Sequence, residues 1–198
     1  MSAEPPPTPG GRLPQVVLIA SILGLSWLGM QVVHELGHVL AAWASSETVH
    51  RVVLHPLDIS RTDATRDRHP LLVAWAGAII GVLLPLGLFG LARAPRWEFA
   101  YLLRFFAGFC LVANGAYLGV GAFVGVGDAG DLLRLGAPRW SLVAFGLAAV
   151  PAGLALWHGL GPRFGLGPSK GRVDPRAARW TLALLIFLVA IELIAGGR

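Results

Sequence analysis

Between Pro14 and Ser45 the chain carries a single charged side chain, Glu35. A run this long and apolar has few ways to fold, because in lipid every backbone N–H and C=O must be satisfied internally, as a helix does. Read as one helix from about Leu13 to Ala44, it is about 48 Å long, against a hydrocarbon core of about 30 Å. It must tilt, protrude or break. Four more apolar runs follow, at about Leu71–Ala92, Trp97–Val126, Ser141–His158 and Arg179–Ala195. With 55% hydrophobic and 14% charged residues, the chain is too apolar for a soluble domain of 198 residues. The pattern predicts an all-α multi-pass membrane protein of about five transmembrane helices.

The connections fill in the organisation. Residues 1–12, rich in Pro and Gly, read as a disordered tail. Ser46 to Pro70 is a polar insertion in which Val49–Ile59, rich in β-branched residues, suits a short edge strand or β-hairpin at the membrane face. Trp75-Ala76-Gly77-Ala78 and Gly81 would let a neighbouring helix come close to the second span, and Pro85 would kink it. Gly115, Gly119, Gly121, Gly125 and Gly127 make the second half of the third span a close-packed or partly unwound segment. Residues 13–136 form a core of three spans, and residues 137–198 add two more.

Charge and cysteine narrow the partners. The formal net charge is +5, but the 16 Lys and Arg are scattered through the connections with no dense basic patch. They read as membrane-flanking charge, which points to a lipid bilayer and away from nucleic acid. Cys110, the one cysteine, falls within the third span and reads as a packed thiol.

Inside the first span stands His34-Glu35-Leu36-Gly37-His38, with Gln31 one turn earlier on the same face. Two histidines four apart on a helix can offer two ring nitrogens to one metal ion. Zinc so held lowers the pKa of a bound water to about 7, and a neighbouring carboxylate can take the proton. This is the chemistry of a metalloprotease. Ionisable groups in hydrocarbon are costly, and packing alone has no use for two His and a Glu there.

A hydrolytic zinc takes a third protein ligand and keeps one position open. Odd-numbered spans end on the membrane side toward which the HELGH segment lies. Asp128 and Asp131 follow the third span and share that side, so either could complete the site. As the alternative local role, Asp128 suits an N-cap for a short helix through Leu135, with Asp131 in its first turn. Glu98 begins the third span, on the wrong side. Glu192 ends the fifth on the correct side, where a carboxylate reaches for the interface. His50, His55, Asp58 and His69 lie in the polar insertion on the correct side as further alternatives.

In order, these features resemble the site-2 protease family of intramembrane zinc metalloproteases: HELGH in a membrane helix, a polar connection with strand character, a helix opening with Ala-Gly, and an Asn followed by an Asp motif. The resemblance covers about residues 25–136. It implies zinc (Zn2+) held by His34, His38 and Asp128, with Asp131 as the alternative third ligand. It implies Glu35 as the general base and Asn114 near the substrate carbonyl. The family's Leu before the Asp is Gly127 here, and the separation of Asn114 from Asp128 is longer than usual. The implied activity is hydrolysis of peptide bonds in or near membrane-spanning segments of protein substrates, with the metal site near the cytoplasmic face. A non-catalytic metal-binding membrane scaffold, or degenerate relative, is the alternative. A metal carrier would need polar residues along a path through several spans, and the second and fourth have almost none.

Overall fold

A computed structural model describes residues 12–56, 60–65 and 68–196. The expected tail through residue 11, with Asp58 and Ile59 of the insertion, lies outside the described residues. Six helices and one hairpin follow in order: α1 (Leu13–Ala44), β1 (Val49–Val53), β2 (Arg61–Ala64), α2 (Pro70–Arg93), α3 (Ala100–Val124), α4 (Gly127–Arg134), α5 (Arg139–Trp157) and α6 (Pro175–Gly196). Five of them, all but α4, are long and apolar enough to cross a membrane. The architecture is that of an integral membrane protein.

α1 needs no break. Its one proline, Pro14, stands in the first turn, its glycines are isolated, and the chain stays helical through all 32 residues. Helix α2 likewise continues through Pro85, which is buried within it. Gly37 of α1 and Gly77 of α2 mark where these two helices cross. A methyl at Gly37 would lie 2.3 Å from the Ala76 carbonyl oxygen. The small residues of the second span do bring a neighbouring helix close.

Glycines of α3 have a different partner, α5. Methyl groups at Gly108, Gly115 and Gly153 would each fall under 3.0 Å from atoms of the facing helix. This stripe is close-packed and fully helical, and unwinding begins only at Gly125, which has φ +72°. Among α5's buried residues are Leu142, Gly146 and Ala149, which face this seam.

α6 lies beside α1 and parallel to it. Ser21 meets Thr181 with hydroxyls 2.6 Å apart, and Gly24 packs under Leu185. Glu192 comes off the same α6 face as Thr181 and Leu185, so it turns inward and is only 3% exposed. The expectation that it reaches the interface is corrected: the face it shares is the one α1 covers.

The hairpin is antiparallel, pairing Val53 with Arg61, Val52 with Thr62 and Arg51 with Asp63. The sequence reading placed strand character on Val49–Ile59. Among the described residues of that stretch Val49–Val53 is strand, and its partner is the polar segment Arg61-Thr62-Asp63-Ala64. Glu47 then ties the insertion to α2: its Oε1 accepts backbone N–H bonds from Arg68 and His69 at 3.1 Å, where α2's first donors lack helical partners.

Candidate metal centre

His34 and His38 stand on one face of α1, both buried. Each ring is fixed through Nδ1. His38 Nδ1 lies 2.7 Å from the Val73 carbonyl oxygen, an atom that can only accept, so Nδ1 carries the proton. His34 Nδ1 lies 2.7 Å from Asn114 Oδ1. The Asn114 amide cannot be turned over, because its Nδ2 donates to the Cys110 carbonyl at 2.9 Å. Thus His34 also donates from Nδ1. In the neutral rings both Nε2 atoms are left with lone pairs, 3.2 Å apart; a ring that also takes up a proton at Nε2 donates it to Asp128.

Asp128 closes the group. Residues Gly125-Val126-Gly127 reverse the chain after α3, with left-handed φ at both glycines and Val126 extended between them. A methyl at Gly127 would lie 2.0 Å from the Tyr117 hydroxyl, so glycine is required there on two counts. Tyr117 in turn accepts the Asp128 backbone N–H at 3.0 Å. The turn delivers Asp128 Oδ2 to 2.7 Å from His34 Nε2 and 3.3 Å from His38 Nε2. Burial alone would push the Asp128 carboxyl up, but hydrogen bonds and charge from the two imidazoles outweigh it. The net result holds the carboxyl well below the usual carboxylate range.

Three ligand atoms therefore converge, and the group could hold a metal ion. Their lone pairs point at one another, an arrangement that a cation between them makes favourable. Zinc bonds of about 2.0–2.1 Å in a tetrahedron put ligand atoms about 3.3–3.4 Å apart. The two separations involving His38 match; the third, 2.7 Å, is that of a charge-assisted hydrogen bond. Gly77 makes the space, since a methyl there would lie 2.3 Å from His38 Nε2 and 2.7 Å from His34 Nε2.

Of the two aspartates, Asp131 is not in this group; it pairs with Arg134 one turn along α4. Nor is Asp128 an N-cap, for Val126 holds that place and Asp128 lies in the first turn. His50 stands against Thr65, His69 precedes α2, and neither they nor His55 join the cluster. Glu98 pairs with Arg176 at 3.0 Å.

Asn114 lines the same cavity as the three ligands. It is 1% exposed and bonded to His34 and Cys110, so its oxygen orients the His34 ring. Gly81 leaves the room it occupies. Replacing Asn114 with Leu, similar in size, should weaken metal binding about 10–100-fold, the usual effect of losing a ligand's outer partner. Competition with a chelator in detergent would measure it.

Glu35 is 3% exposed and accepts a 2.7 Å hydrogen bond from the Thr62 hydroxyl of β2. It shares with the three ligands the wall of a cavity of about 860 Å³. Beside Glu35, Ser60 to Asp63 bring β2 to the same cavity. The Thr62–Glu35 bond is the feature the sequence reading missed. A threonine between charged residues gives no local sign of it. Compared with known proteins, the chain matches no family model, no curated protein and no solved structure.

Proposed function

We propose that the chain is an intramembrane zinc metalloendopeptidase, similar to the site-2 protease family, that hydrolyses peptide bonds of membrane-spanning protein segments. One observation carries the reading. A buried carboxylate, Glu35, stands next to the ligand group and is held by Thr62 outside it, in a cavity large enough for a peptide. A scaffold or carrier needs no proton-accepting carboxylate beside its ligands.

His34, His38 and Asp128 would hold zinc, which when bound supplies Lewis acidity to a water and to the substrate carbonyl. Glu35 accepts the proton of the attacking water at its carboxylate and later returns it to the leaving amine. Thr62 fixes the carboxylate's orientation, and Asn114 fixes His34 as an Nε2 ligand. A helical substrate must unwind first, since its carbonyls are otherwise engaged. The edge of β2 suits an extended backbone, by strand addition. The reading places the site near the cytoplasmic face, as in the resembling family.

Metal analysis and chelation test this together. Purified protein should hold about one zinc per chain and cleave an apolar membrane peptide in detergent. Chelation should abolish cleavage and zinc should restore it. Asp128→Ala should lose the metal, while Asp131→Ala retains it. Wild type with no bound metal would end the proposal, and zinc without cleavage would favour the scaffold.

A further inference from the structure

With Asn114 bonded to His34 and to the Cys110 carbonyl, a second residue of the cavity wall stands out as a donor for the substrate carbonyl. Gln31 is in that wall. It precedes His34 by three residues and Glu35 by four, so it comes off the same side of α1 one turn earlier. The residue is only 7% exposed. Its Oε1 accepts the Ser60 backbone N–H at 3.3 Å, which fixes which end of the amide is which. The other end, Nε2, is buried and has no hydrogen-bond partner among the described residues. Glu192 Oε2, on the α6 face against α1, is also without a partner, so the two are not bonded to each other.

Buried amide donors are nearly always paired. An oriented, unpaired donor on a residue of the site wall, one turn from a ligand and a base, is what a developing oxyanion would complete. We propose that Gln31 Nε2 donates to the carbonyl oxygen of the bound peptide bond, more strongly as that oxygen gains charge. This rests on the peptidase reading above. The competing role is purely structural: Gln31 as a latch that holds Ser60 and the start of β2.

Two substitutions separate the roles. Gln31→Glu keeps an acceptor for the Ser60 N–H and replaces the donor with a second acceptor. Gln31→Met removes both. The probe is an apolar phosphinic peptide, whose tetrahedral, anionic phosphorus centre mimics the hydrated peptide bond. Its Kd would be measured on the full-length, zinc-loaded protein in detergent, with zinc content and Tm recorded for each variant.

We expect wild type to bind the probe and both variants to bind it about 100-fold more weakly, the usual loss for one oxyanion donor, with zinc retained. If Gln31→Glu binds like wild type while Gln31→Met does not, Gln31 is the Ser60 latch and the donor role is overturned. Loss of zinc or folding in both variants assigns Gln31 to the framework and likewise overturns it. Zinc-loaded wild type that ignores the probe removes the peptidase reading itself, a failure distinct from either variant result.

Discussion

Glu35→Gln should cut peptide cleavage about 10²–10⁴-fold, the range that general acid–base catalysis contributes, while zinc content stays at the wild-type level. The substitution is nearly isosteric. Its remaining carbonyl oxygen can still accept the Thr62 hydroxyl hydrogen bond that Glu35 Oε2 accepts now, so the hairpin keeps its anchor on α1. Glu35 is not among the three converging ligand atoms, so the metal group loses nothing. Only the ability to take and return a proton is removed. Cleavage of an apolar peptide in detergent, normalised to zinc per chain, measures the effect. A variant that cleaves at the wild-type rate would remove Glu35 as the base. A variant that loses zinc would make Glu35 part of the metal site.

The contrast between Glu35 and Asn114 shows what kind of information the chain carries along its length. Uncharged runs set the spans, because the cost of exposing backbone or charge to lipid is paid locally, residue by residue. α1 accordingly falls at Leu13–Ala44, where the sequence alone puts it. The spacing of His34 and His38 is also local, since helical geometry alone brings them to one face. The parity of the crossings brings in Asp128 and Asp131 alike, and only the family resemblance implies Asp128. The remaining features depend on which helix lies against which. Asn114 is visible in the sequence as a polar residue in a span. That it bonds His34 follows only from the meeting of α1 with α3.

Glu192 and β2 were hidden for the same reason. A carboxylate near a helix end reaches for water unless another helix covers that face, and α1 covers it through the Ser21–Thr181 and Gly24–Leu185 contacts. Arg61-Thr62-Asp63-Ala64 has little intrinsic strand preference. It is strand because β1 supplies a partner and Thr62 is tied to Glu35. Tertiary contacts overrule local propensity in both places, and β2 lines the cavity.

Gly77→Ala tests how tightly the second helix cradles the site, and its expected effect is loss of the metal. Among the small residues at the start of α2, sequence spacing does not single out Gly77 from Ala76, Ala78 or Gly81. The structure does, because a methyl there would stand 2.3 Å from His38 Nε2 and 2.7 Å from His34 Nε2. Neither helix can easily withdraw, since Gly37 already lies against the Ala76 carbonyl and Gly77 at the same crossing. Overpacking of this kind costs about 1–3 kcal/mol if the rings hold their places. If they swing aside instead, the Nδ1 bonds to Val73 and Asn114 break, and both ligands lose their orientation. By either route metal affinity should fall by more than the roughly 100-fold upper end for a lost outer partner. Gly87→Ala, with nothing within 4 Å of the added methyl, is the control that should bind zinc normally. Zinc content and Tm of the two variants would be compared in one detergent. Full zinc occupancy in Gly77→Ala would mean that α2 stands farther from the histidines than the cradle requires.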